Sequence, residues 1–309
     1  MPGIRICSTQ DQPAFSLVIR DQPCEAFQAF AEILTRVRVY TGKPPCLEMC
    51  FMAELLPYQY ALIGLIFVWS GFVRSGLGFG GAVLSLPFLL LVHNDPLVFL
   101  PLIAMHLLFF SSLTIALNNR RQAPELRRNG GTVDWRYLGR MLGIMIVPKM
   151  IGVLGLLTLP GNIMSIIIFV IVAAYSLSYI TNRPFRSRSR VVDTCFLMLG
   201  GYVSGTSLIG APLIIAVAAQ HLAKEQFRDT LFALWFILVT IKMAAFLYAG
   251  VDLQLIHHLW LLPCAAVGHV IGLRAHAHIM HAETPVFFRV LGSVLLAVSL
   301  VGIWTMLAA

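Results

Sequence analysis

Beyond residue 57 the chain is a succession of apolar runs separated by short polar breaks. The runs fall at roughly 58–73, 77–92, 97–117, 137–158, 161–180, 191–204, 208–221, 229–250, 254–273 and 285–306. Between Tyr58 and Asn119 only Arg74 and Asp95 carry formal charge; between Tyr137 and Ile180 only Arg140 and Lys149; between Leu231 and Gly250 only Lys242. A helix needs about 20 apolar residues to cross a hydrocarbon core of about 30 Å, so the longer stretches hold more than one span each. The pattern predicts an all-α integral membrane protein with about 8–10 transmembrane segments. Two pairs, 58–73 with 77–92 and 191–204 with 208–221, meet at glycine-rich breaks. Each pair reads as two short spans or as one discontinuous, partly re-entrant element.

Residues 1–51 differ: they are mixed in polarity and contain no span. They read as a mis-assigned translation start, a poorly ordered leader or a tail outside the bilayer, with Met52 a natural beginning. The short run Phe15–Ile19 is too brief for a signal-peptide core and is followed by charges, so the first span is expected to act as an uncleaved insertion signal.

Composition sharpens this picture. Hydrophobic residues make up 58% of the chain, charged residues 12%, and mean hydropathy is +0.83. A soluble domain carries about a quarter charged residues, and 309 residues with so few charges could not cover a surface in water. The net charge of +8 does not point to nucleic acid, because the arginines sit between apolar segments. Arg120, Arg121, Arg127, Arg128 and Arg136 fill one loop, and Arg183, Arg186, Arg188 and Arg190 fill another; both are expected on the cytoplasmic side. Counting ten spans also puts Lys224, Arg228, Arg274 and Arg289 inside and the N-terminus outside. The expected location is the cell membrane (the inner membrane of a Gram-negative bacterium), multi-pass. The six cysteines form no CxxC pair, which leaves a zinc ribbon or thioredoxin-type motif unsupported.

The chain repeats itself. Gly71-Phe72-Val73 resembles Gly201-Tyr202-Val203, and the ten residues from Ser75 to Leu84 align with Ser204 to Leu213 at an offset of 129. Ile151-Gly152 matches Ile271-Gly272 at an offset of 120. Five segments per half, an odd number, makes the halves inverted across the membrane. The expected organisation is a first repeat at 58–180, a basic cytoplasmic linker at 181–190 and a second repeat at 191–306. Inverted repeats with broken helices at matching places are a transporter plan, with the site at the breaks. A helix that starts at such a break offers unpaired N–H groups and partial positive charge to an anion. Helix packing through small residues competes with this reading for any single glycine run; two runs at equivalent positions favour the site.

At these motifs the chain resembles the sulfite exporter TauE/SafE family of membrane permeases. The stretch from Ser75 to Pro87 is similar to that family's glycine-rich N-terminal signature. Ser204–Ile214, followed by Lys224–Thr230, resembles its second copy, and Asp134-Trp135-Arg136 is also similar. Phe79 and Ile209 interrupt the glycine runs, and the N-terminal 51 residues are extra. The resemblance covers about residues 58–306 and implies transport of small anions, often sulfur oxyanions or organosulfonates.

The candidate substrate-binding residues are therefore Ser75, Gly76, Gly78, Gly80 and Gly81 in the first copy, with Ser204, Gly205, Thr206, Ser207, Gly210 and Pro212 in the second. Lys149 and Lys242 join them, because a cation in mid-span costs about 2.5–3.5 kcal/mol on insertion scales and normally faces a cavity or a partner. At the 120 offset Lys149 is matched by His269. Arg74 and Arg228 are either substrate contacts or anchors at span ends; His106 and Gln220 read as satisfied packing residues. The function expected is a secondary transporter moving a small anion by alternating access, not an enzyme, with no cofactor or metal and no P-loop. Its partners are the anion and the lipid bilayer, and a homo-oligomer is compatible with the sequence. The rival is a membrane-embedded metal-dependent enzyme using His257–His281, although the i, i+2, i+5 spacing of His276, His278 and His281 does not put them on one helix face.

Overall fold

In the computed structural model, residues 55–77, 81–121, 132–181, 189–281 and 285–308 are described. Residues 1–51 and most of the basic linker, with the readings made of them, lie outside these. The described residues form ten helices and no strand. They are α1 Pro57–Leu77, α2 Gly81–Val92, α3 Pro96–Arg121, α4 Trp135–Thr158, α5 Gly161–Ile180, α6 Arg190–Ser207, α7 Ala211–His221, α8 Lys224–Ala249, α9 Leu255–His281 and α10 Pro285–Ala308. Each coincides with one apolar run of the sequence. Six contain stretches long and apolar enough to cross a bilayer: Pro96–Ala116, Trp135–Thr158, Gly161–Ile180, Gln226–Ala249, Leu255–Ala275 and Arg289–Ala308. The shorter helices α2 and α7 are apolar too.

Local chemistry sets the ends. Pro57, Pro96 and Pro285 open α1, α3 and α10, where the missing N–H has no intrahelical partner to lose. Asp134 caps α4 by accepting from the Tyr137 N–H at 2.9 Å, and its own N–H donates to Thr230 Oγ1 at 2.9 Å, tying α4 to α8. The Ser189 hydroxyl caps α6. Gly250, at φ 74°, ends α8 in the left-handed conformation that glycine tolerates best.

The distribution of side chains is that of a protein dissolved in lipid. Lys149 and Lys242 are fully buried, whereas Leu259 and Trp304 are 78% and 74% exposed. Water would favour the reverse arrangement; a hydrocarbon solvent tolerates apolar side chains outside and drives charge inward. The chain is a multi-pass membrane protein.

Helices pair across the chain rather than with sequence neighbours alone. α1 packs along α9, α4 along α6, α5 against α10 and α3 against α8, while α1 also meets α2 and α6 meets α7. Glycines allow the closest crossings. A Cβ added at Gly71 would strike the Ala265 carbonyl, one at Gly268 that of Val68 and one at Gly272 that of Phe72, all between α1 and α9. Between α4 and α6 the same holds for Gly201 against Met145, Gly152 against Tyr202 and Gly205 against Lys149. With no hydrophobic force between helices in lipid, such close backbone approach is a main source of packing energy.

Candidate functional site

α6 stops inside the protein and α7 starts at Ala211, close by; residues 78–80, between α1 and α2, lie outside the described ones. The α6 end is visible in full: Leu208 takes a left-handed φ of 61°, and α7 begins behind Gly210, with Pro212 in its first turn. A left-handed leucine is strained, and such strain is held in place only by its surroundings. No side chain caps the start of α7.

Between these ends lies a cavity of about 40 Å³. Its wall comes from α1 (Ser70, Arg74), the start of α2 (Gly81, Ala82, Val83), α3 (Ile103, Leu107, Ser111), the end of α6 (Ser204) with Leu208, the start of α7 (Ala211) and α8 (Phe232, Trp235, Val239). Two helix N-termini, each with partial positive charge, thus share one small space with a buried guanidinium. Arg74 is only 8% exposed, its guanidinium lies 4.3 Å from the centre of the Phe110 ring, and its Nε and Nη2 have no hydrogen-bond partner among the described residues. Ser111 Oγ is likewise buried without one.

Of the residues singled out by sequence, Gly81 and Ser204 line the cavity. Lys149 stands one shell back, donating from Nζ to Ser204 Oγ at 3.2 Å and to the Ser204 carbonyl at 3.5 Å. Lys242 Nζ donates to the Thr206 carbonyl at 3.2 Å. Both lysines therefore serve the last turn of α6, where the Ser204 carbonyl also accepts from the Leu208 N–H at 3.3 Å and the helix end carries partial negative charge. On the opposite side Ser75 Oγ is hydrogen-bonded to His269 Nδ1. In sequence, His269 lies 120 residues after Lys149, and Ser204 lies 129 after Ser75. Thr206 and Ser207 bond back to the Val203 carbonyl at 3.0 Å each. Gly205 and Gly210 are close-packing positions against Lys149 and Gly200. Gly76 is buried, Pro212 half-buried, and Gly78 and Gly80 lie outside the described residues.

The sequence reading passed over Ser70 and Ser111 and kept Arg74 ambiguous. Its one usable signal was that Arg74 is the sole cation between Tyr58 and Asn119 and adjoins the first glycine run. Arg228 lies 5.6 Å from the centre of the Phe232 ring. His106 Nδ1 bonds to the Leu102 carbonyl while its Nε2 is buried without a partner among the described residues, and Gln220 donates to the Ala216 carbonyl. Among the described residues no three His, Cys, Asp or Glu side chains gather as a metal site would require. The side chains of His276, His278 and His281 lie outside the description.

The model of the sulfite exporter TauE/SafE family matches residues 62–302. The chain belongs to that family. No curated protein and no solved structure matches it significantly. Membership in TauE/SafE, together with six bilayer-length apolar helices, makes it a membrane transporter. The matched region of this TauE/SafE member contains every element that walls the cavity.

Proposed function

We propose that this TauE/SafE member is a secondary transporter of the cell membrane that moves a small anion, such as a sulfur oxyanion or organosulfonate, by alternating access. The observation that carries this reading is the cavity. Its wall is drawn from the first three helices of each five-helix half, and it holds a buried cation beside two helix starts. In this reading 58–180 and 191–306 are inverted repeats, and α1/α2 and α6/α7 are discontinuous elements whose breaks form the site. The helix pairing supports it: exchanging α1–α5 with α6–α10 turns α1·α9 into α6·α4 and leaves α5·α10 and α3·α8 unchanged. Two halves that interlock in this way can rock about a central site.

The test is uptake into proteoliposomes of the purified chain, offered sulfite, taurine-like sulfonates, thiosulfate, sulfate and small carboxylates. Saturable, ATP-independent uptake of at least one is expected, unaffected by a chelator. Uptake no greater than in empty vesicles for the whole panel would overturn the reading. Loss of activity on chelation, with stoichiometric bound metal, would favour a metalloenzyme instead.

Residues 1–51 contribute no span in this scheme. A chain beginning at Met52 is expected to insert and transport as the full chain does. Loss of insertion at normal expression, read by membrane fractionation, would assign the leader a role.

A further inference from the structure

We propose that Arg74 is the direct ligand of the transported anion, gripping two oxygens of one oxyanion with its Nε–Nη2 edge, while Lys149 and Lys242 position the end of α6 behind the cavity. This rests on the anion-transport reading and assigns its site.

The argument starts from the shape of a guanidinium. Its N–H bonds lie in one plane, and the Nε–H and one Nη2–H point the same way, at a spacing that matches two oxygens of a carboxylate or sulfur oxyanion. Those two nitrogens are the ones without a partner in Arg74. The guanidinium carbon lies over the Phe110 ring, 4.3 Å from its centre. That contact attracts the cation without using its N–H bonds. Among the described residues Arg74 makes no ion pair, and no acidic side chain lines the cavity it borders. A guanidinium nine-tenths buried with an open fork is costly unless a counter-charge arrives.

The surroundings fit a desolvated anion. A cavity of about 40 Å³ has room for only a few water-sized bodies. An oxyanion held there sheds its hydration shell, and the wall must replace those hydrogen bonds. The wall offers the Arg74 fork, the unpartnered Ser111 hydroxyl and the starts of α2 and α7 at Gly81 and Ala211.

The lysines are arranged differently. Lys149 spends its hydrogen bonds on Ser204 and Lys242 on the Thr206 carbonyl, and neither lines the cavity. They neutralise the carbonyl end of α6. Their effect on the anion passes through the placement of that helix end.

The experiment is calorimetric titration of the full chain in detergent with sodium sulfite, sulfate, thiosulfate, ethanesulfonate and acetate, beside thermal unfolding of each variant. For an anion that the parent binds, Arg74→Gln is expected to raise Kd on the order of a hundredfold, the loss of two charge-assisted bonds. Arg74→Lys keeps the charge without the fork and is expected to raise Kd about tenfold. Lys149→Met and Lys242→Met are expected to stay within about threefold in Kd while unfolding at lower temperature, since they uncap a helix end. Arg74→Gln binding within threefold of the parent, or a lysine variant losing as much affinity as Arg74→Gln, would overturn the assignment alone. Arg74→Lys binding as the parent does would overturn the two-oxygen grip, even if Arg74→Gln failed to fold. A parent chain that binds none of these anions would overturn the anion-transport reading and the assignment together.

Discussion

Gly268→Ala should unfold at a much lower temperature than the parent, and Gly152→Ala should behave alike. At Gly268 an added Cβ would run into the Val68 carbonyl, and at Gly152 into that of Tyr202. In each case the obstacle is the backbone of a packed helix, which cannot swing aside as a side chain can. Relief requires α9 to back away from α1, or α4 from α6, along contacts where other glycines are equally tight. Overpacking costs about 1–3 kcal/mol, occasionally more, and these sites belong at the upper end. Gly143→Ala is the control. Nothing lies within 4 Å of its added Cβ, so alanine should be neutral or stabilise by up to about 1 kcal/mol through helix propensity. The measurement is the thermal unfolding midpoint in detergent. If Gly268→Ala melted with Gly143→Ala, the α1–α9 contact would not be the close backbone packing described.

Lys149→Met should slow anion uptake about tenfold or more, because a buried hydrogen bond from a charged donor is worth about 1.5–3 kcal/mol. The side chain is completely buried, and its bonds to Ser204 tie α4 to the end of α6. Methionine replaces the stem and removes the tie. The loss should appear in turnover rather than anion affinity. Lys149→Arg retains charge but brings a planar fork into a filled site, and should fall between parent and Met. Ser204→Ala should lose less than Lys149→Met and add little to it. Residues in one hydrogen-bond network couple by about 0.5–3 kcal/mol, so losses that simply multiply would show that the two act separately. Initial uptake rates at equal membrane abundance measure all four variants.

Much of the fold was legible because the bilayer writes its thickness into the sequence. Each span needs an uninterrupted apolar run, and all ten runs became helices. The duplicated glycines were legible for a related reason: Gly71, Gly152, Gly201 and Gly272 stand where helices cross backbone to backbone, a place that admits no other residue cheaply. Helix partners were not legible. An apolar helix surrounded by lipid on one side and protein on the other shows little contrast between its faces, so nothing in α1 names α9. The cavity was half legible. Gly81 and Ser204 stood in the motifs, but Ser70 and Ser111 are single hydroxyls in apolar runs, where most serines bond their own helix. Arg74 ends α1, and there a cation reads equally well as an interfacial anchor.

The pairing of α1 with α9 has a consequence for how the chain is made. Roughly 180 residues separate the end of α1 from the start of α9, which at about 5–20 residues per second is about 10–35 seconds of synthesis. During that interval α1 sits in the membrane with Gly71 and Ser75 facing a partner that does not yet exist. The first five helices cannot mature as they emerge, and the nascent protein must wait for its ninth helix before its first is sheltered. Quality control in the membrane therefore has a long window in which to see this chain unfinished, and a chain that stops before Leu255 leaves the stripe of α1 from Gly71 to Ser75 uncovered.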